Sequence, residues 1–310
     1  MGRGGAMVDV VVVGLVCRDL VVAVEKLPES GSVPVRRRIE TLGGAANQAV
    51  GARQLGLSAG LLGVVGQDAA ADLVLRQAQR DGIDVSAVVR RGTTPLVVGV
   101  VEADSTHRLL EHVPDGSLLT PADVRAGARL LGAARAVVAD LQQPDDAVAE
   151  TVRLGAAAGA LVVLDGAPDE PGALADVWGG VSVLRADDDE LAAYVGSVPD
   201  GADAVLDAAR ELVATGPGVV ALGAGEAGNV VAWRGGARVF PLLGQDPVDV
   251  TGGGDAFVVG LVRGLLDGAD PETAGWWASA AAALTVTRLG GRPDLDAATV
   301  AREAERAAAG

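Results

Sequence analysis

The feature that most constrains the fold is an alternation of two kinds of segment. "VDVVVVGLV" (8–16) is a continuous β-branched run, as expected of a strand buried on both faces. Shorter runs of the same kind follow at 136–140, 161–165, 181–184 and 219–222. Between them lie alanine-rich stretches with helical spacing at 121–133, 144–158, 187–195 and 203–214. Strands that alternate with helices predict an α/β protein, a mainly parallel sheet with helices on both faces. Residues 256–267, 271–287 and 295–308 read as closing helices.

Two regions break the rhythm. Residues 20–41 and 93–113 read as β-hairpins, so a small β-sheet is expected to stand off the body as a lid, formed by about 17–42 and 93–115. The whole chain, 1–310, is expected to form one domain. "RRR" (36–38) reads as a solvated strand face more simply than as a phosphate patch.

Charge narrows the partners. The formal net charge is −16, which repels nucleic-acid phosphates and anionic lipid, so neither is expected as a partner. Cys17 is the one cysteine, which excludes an internal disulfide and a thiolate metal cluster. The apolar run after Arg3 is interrupted by Asp9, Arg18 and Asp19, and no cleavage site follows. The expectation is a cytoplasmic protein. Lys26 is the one lysine, and it follows no glycine loop, so a Walker A motif is excluded.

Two glycine-rich stretches differ in meaning. "GAGEAG" (223–228) has the dinucleotide-binding spacing, but the residues that follow, "NVVAWRGGARVF", are two β-like runs joined by a turn. The fingerprint needs a helix to hold a pyrophosphate at its N-terminus, so that reading fails. "DVTGGGDAF" (249–257) does open a helix, because Phe257, Val258, Leu261, Val262, Leu265 and Leu266 form an apolar stripe. Gly252, Gly253 and Gly254 would leave bare amides at a helix start, where an anion can sit. Asp255 lies in the first turn beside them. A plain charge partner for the helix dipole needs no glycines. Anion-binding amides beside a carboxylate are what phosphoryl transfer requires.

"DVTGGGDAF" resembles the C-terminal signature of the ribokinase-like (PfkB) carbohydrate kinase family, and "GGAANQAVGARQLG" (43–56) resembles its N-terminal signature. The resemblance spans nearly the whole chain. It implies a ribokinase-like central sheet flanked by helices, a β-lid, and ATP-dependent phosphorylation of a sugar-like alcohol. It implies Asp255 as general base and the amides of Gly252–Gly254 as the anion hole. Asp19, Asn47, Gly43 and Gly44 would hold the sugar. "ADDDEL" (186–191) resembles an element that acts near Mg²⁺ and the phosphates, with Asp187 and Glu190 at its two positions. Gly223, Gly225 and Gly228 fall where the family lines its ATP site. Asp249 and Thr251 resemble part of a monovalent-cation site, for K⁺, found in some members.

Departures cluster at the sugar end. Cys17 stands where ribokinases carry an asparagine, Gln142 stands where they place a glutamate, and a residue between the glycines and Asn47 is missing. An acceptor other than ribose is implied, a nucleoside kinase or a non-catalytic sugar- or nucleotide-binding regulator being the alternatives. Trp276 and Trp277 read as core or interface sooner than as adenine contacts. His107 and His112 have opposite parity on one strand and so do not form a metal pair. An exposed lid edge would let two copies pair as a homodimer.

Overall fold

The computed structural model describes residues 7–170, 172–244 and 247–310. The start of the N-terminal stretch weighed above as a leader, including Arg3, lies outside the described residues. The strands run β1 (Val8–Val13), β2 (Val16–Ala23), β3 (Arg37–Gly44), β4 (Ala59–Leu62), β5 (Val64–Val65), β6 (Val89–Arg90), β7 (Leu96–Val101) and β8 (His107–His112). They continue with β9 (Ala134–Asp140), β10 (Leu161–Asp165), β11 (Val183–Ala186), β12 (Val219–Gly223), β13 (Asn229–Trp233) and β14 (Gly236–Phe240). The helices are α1 (Ala46–Gln54), α2 (Ala69–Arg80), α3 (Pro121–Ala126), α4 (Ala128–Leu131), α5 (Asp145–Ala157) and α6 (Ala192–Val195), then α7 (Ala202–Thr215), α8 (Gly253–Leu266), α9 (Pro271–Thr285) and α10 (Ala297–Ala308).

Eight strands form one sheet in the order β14-β13-β12-β11-β10-β9-β1-β4. From β4 to β12 the pairs are parallel, and β13 and β14 close the edge antiparallel. Strand β1 shows why its run is unbroken. Val10 and Val12 join the core under α1, α8 and α9, while Val11 and Val13 join another core on the opposite face. Each such valine contributes about 1.5–3 kcal/mol by leaving water.

The run 8–16 does not stay in one strand. It breaks at Gly14, where a side chain would meet Asp140 and Ala45 at about 2.5 Å, and Val16 begins a second sheet. That sheet is the expected lid, in the order β3-β2-β7-β8. The two hairpins β2–β3 and β7–β8 join through parallel pairing of β2 with β7. Within the lid, Arg37 and Arg38 are exposed, Arg38 pairs with Glu40 and Arg36 with Glu25, so this basic run is a solvated face.

Other expectations shift at their ends. The stretch 121–133 is divided at Gly127 into α3 and α4. The helix expected over 187–195 shrinks to α6, because the Glu190 side chain accepts from the Asp187 amide (2.7 Å) and holds 187–190 as a turn. The stretch 223–228 is a tight turn between β12 and antiparallel β13, with no helix after it. Strand β4 and helices α1 and α2 were not anticipated; α1 is buried over most of its length and so carries no period, whereas α2 does bury one face through Ala71, Val74 and Ala78. Among the described residues, no helix is long and apolar enough to cross a membrane.

Candidate active site

In an open parallel sheet, ligands bind beyond the carboxyl ends of the strands. Here those ends bring Asp140 (β9), Asp165 (β10) and Arg185 (β11) side by side, since Asp165 pairs in register with both Asp140 and Arg185. Two clefts meet above them. One, of about 420 Å³, lies under the lid and is lined by Asp19, Gly44, Asn47, His107, Glu111, Asp140, Gln142 and Asp255 among others. The other, of about 410 Å³, runs between Asn229, the 241–244 segment, Phe257 and the α9 residues Ser279, Ala282 and Ala283. Arg185, Asp187, Val250 and Gly254 line both.

The turn into α8 sits at that junction. Gly252 has φ +74°, and a side chain there would collide with the main chain of Gly291. The N–H of Gly253 is spent on the Val250 carbonyl (3.2 Å). The amides of Gly252, Gly254 and Asp255 find no main-chain partner among the described residues. The expected cradle of three glycine amides is corrected accordingly: Gly253 closes the turn, and the amide of Asp255 is free beside those of Gly252 and Gly254.

Asp255 Oδ2 accepts a hydrogen bond from Asn47 Nδ2 (3.2 Å). Burial, with the Asp165 charge adding, pushes its carboxyl up to about 8. Perturbed carboxyls of this kind cluster at functional sites.

Arg185 carries no motif and was missed in the sequence. Its guanidinium bonds Asp165 (3.0 Å) and Asp187, and a methyl group on Gly254 would come within 2.5 Å of it. It is therefore packed against the bare start of α8. Asp165, Asp140 and Gln48 were also missed. Gln48 Nε2 donates to Asp165 (2.6 Å), and Asp140 accepts from the amides of Leu15 and Gln142 (both 2.9 Å). A buried aspartate at the end of a parallel strand was the available signal, in "AVVAD" and "LVVLD". Burial pushes Asp140 up to about 6.

Under the lid, Asp19 is buried at 6% exposure, and burial, with Glu111 adding, raises its carboxyl to about 6. Cys17, wholly buried, donates its S–H to Asp19 (3.0 Å). Gly43 packs against that carboxyl, where a side chain would overlap it, and Gly44 has φ +67°. Asn47 is 2% exposed, and its Oδ1 has no partner among the described residues. Gln142 is exposed at the rim. Asp19, Gly44, Asn47 and Gln142 thus line one cleft, with Gly43 behind Asp19.

Burial raises Glu190 to about 7, beside Asp187 and Asp165. No three His, Cys, Asp or Glu side chains converge on a metal position among the described residues. Asp187 and Glu190 fit a divalent cation held chiefly through water and phosphate oxygens. Asp249 is buried and serves the turn: it accepts from Thr251 N (3.0 Å), Thr251 Oγ1 (2.7 Å) and Gly290 N (2.8 Å). Gly223 and Gly228 pack against main chain, of Asp187–Asp188 and of 240–242 respectively, and Asn229 reaches the second cleft. Ser279 lines that cleft at 5% exposure, its Oγ unpartnered among the described residues. An apolar slot with one spare hydroxyl fits a nucleobase or ribose. Trp276 packs edge-on against Phe240 (4.9 Å) in the core, and His112 is exposed.

Residues 7–298 match the pfkB family of carbohydrate kinases. An ATP-dependent ribose-1-phosphate kinase from Halopiger xanaduensis is 33% identical, covering 94% of this chain and 97% of that one. A deoxyribokinase from Salmonella typhi is 27% identical, covering 91% and 94%. Arabidopsis thaliana ribokinase, solved with ribose and ATP, superposes with a TM-score of 0.77 over 96% of this chain and 99% of that one; at 22% identity it shows the shared fold. This chain belongs to the pfkB family of carbohydrate kinases, phosphotransferases that use ATP and act on a sugar.

Proposed function

We propose that this kinase transfers the γ-phosphoryl group of ATP to a hydroxyl, a primary one, of an unphosphorylated sugar or polyol. The observation that carries the reading is the position of Asp255, in the first turn of α8, where the lid cleft meets the apolar cleft. An acceptor in the first cleft would present its hydroxyl to Asp255, which takes the proton. The amides of Gly252, Gly254 and Asp255 would hold the moving phosphoryl group, with Arg185 beside them. Charge develops there without solvent reorganisation, because the donors are already in place. ATP would lie along the second cleft with its base near Ser279. Mg²⁺, when bound near Asp187 and Glu190, neutralises phosphate charge. A K⁺ ion at the 249–251 turn would be left chiefly with main-chain carbonyls.

Charge supports an acceptor without a phosphate. Asp19, Glu111 and Asp140 line the lid cleft. His107 and Arg185 are its basic residues, and both are already engaged. A phosphorylated acceptor would enter a field of its own sign. Among the described residues, no Phe, Tyr or Trp lines the cleft to stack a nucleobase, which argues against a nucleoside.

The test is ADP release with Mg-ATP across pentoses, hexoses, polyols, nucleosides and sugar 1-phosphates. Turnover is expected with an unphosphorylated sugar or polyol, at a kcat/KM at least about tenfold above that for sugar 1-phosphates. Preference for a sugar 1-phosphate or a nucleoside would overturn the substrate reading, and no turnover with any acceptor would overturn the whole of it. Gly43→Ala should raise the acceptor KM at least about tenfold, since its methyl displaces Asp19, while the KM for ATP stays put. An unchanged acceptor KM would remove Asp19 from the acceptor site.

A further inference from the structure

The lid touches the body through a polar chain that ends one residue before the anion-binding turn. His107, on lid strand β8, lies 3.0 Å by its Nε2 from Thr251 Oγ1. Thr251 Oγ1 in turn donates to Asp249 Oδ1 (2.7 Å). A hydroxyl has one proton, and here Asp249 takes it. With that proton on Asp249, Thr251 Oγ1 is left to accept from an Nε2–H of His107. The other Asp249 oxygen accepts from the Gly290 amide (2.8 Å), in the same turn as Gly291, against which Gly252 packs. Around this chain the lid is seated by Val21 and Val101 on Leu289 and by Ser105 Oγ donating to the Pro247 carbonyl (3.2 Å). The His107 ring also lines the acceptor cleft.

We infer that His107 is a positioning residue: by bonding Thr251 it ties closure of the lid over the acceptor to the alignment of the Gly252–Asp255 amides. The inference rests on the kinase reading for its kinetic consequence but not for its structural one. A lid held elsewhere would still cover the acceptor, yet the turn would lack its side-chain support from above. The rate of the chemical step would then fall with little change in nucleotide binding, because small misplacements at a reacting centre cost rate before they cost affinity.

The experiment compares wild type, His107→Ala and His107→Gln in the full chain. Glutamine Nε2 can place an N–H near that of the histidine. His107→Ala is expected to lower kcat about tenfold at unchanged KM for ATP, and His107→Gln to recover most of it. Amide hydrogen exchange, read without any substrate, should speed up across 251–255 in His107→Ala and return toward wild type in His107→Gln. An unchanged kcat, or a rise in acceptor KM alone, would overturn the kinetic role. Unchanged exchange at 251–255 would overturn the coupling even if no acceptor were ever found. Absent turnover with the expected exchange pattern would instead sink the kinase reading and leave the coupling standing.

Discussion

Asp255→Asn is expected to lower kcat by at least the ~10²-fold typical of losing a general base, with ATP affinity nearly unchanged. The amide keeps the size of the carboxyl and can accept from Asn47 as Asp255 does (3.2 Å), so the turn into α8 should survive. What disappears is the carboxylate proposed to take the proton from an acceptor in the lid cleft. The pH profile separates this from a binding defect. Burial and the Asp165 charge raise the Asp255 carboxyl to about 8, so wild-type kcat/KM should climb with pH and level off near there. The residual activity of the variant should lack that rise. Equal turnover in the two proteins would remove Asp255 from the chemistry.

The same shift makes a stability prediction of the opposite sense. Below the ordinary value of 3.8 the group is protonated in both folded and unfolded chains, so it contributes no pH dependence. As pH rises from there to about 8, the unfolded chain releases a proton that the folded chain retains, and the folded state loses ground. Asp255→Asn removes that loss. The ligand-free variant should melt above wild type at pH 8, with the gap closing toward pH 4. A gap that widened on acidification would contradict the raised carboxyl.

Gly252→Ala should destabilise the protein by about 3 kcal/mol or more and abolish turnover. Two costs add. The residue has φ +74°, where a side chain is strained, and its methyl, fixed rigidly to the backbone, would run into the main-chain carbonyl of Gly291. Neither side can rotate away, so the 249–252 and 288–291 turns must separate. Gly268→Ala isolates the first cost: φ is +81° there, but nothing lies within 4 Å of the new methyl. That change should cost about 1 kcal/mol. Denaturant midpoints measure both, and equal losses would mean that the contact with Gly291 is not a constraint. Gly253→Ala, which meets only Val286 at 3.0 Å from an already helical residue, should be milder than Gly252→Ala.

The legible part of the site was the part written in consecutive residues. Gly252–Asp255 must be a helix start because apolar spacing begins at Phe257, and the lid hairpins show as β-like runs between turn residues. Three things stayed hidden. Arg185 looked like an ordinary strand residue until register set it beside Asp165 and packing set it against Gly254. Gly253 looked equivalent to its neighbours until its N–H was found on Val250. His107 was read by strand parity against His112, and parity says which face a residue takes without saying what lies opposite that face.

Local chemistry alone thus decided the α/β architecture, the presence of a separate small sheet, and the glycine-rich helix start next to Asp255, because strand and helix periods and glycine runs act over a few bonds. Tertiary structure decided which acids share a cleft, which of them burial shifts upward, and which lid residue reaches the turn into α8. Those depend on burial and on contacts such as Asn47 with Asp255 and His107 with Thr251, which lie 208 and 144 residues apart in the chain. No local pattern encodes a separation of that length; only the folded packing brings such groups within hydrogen-bond reach.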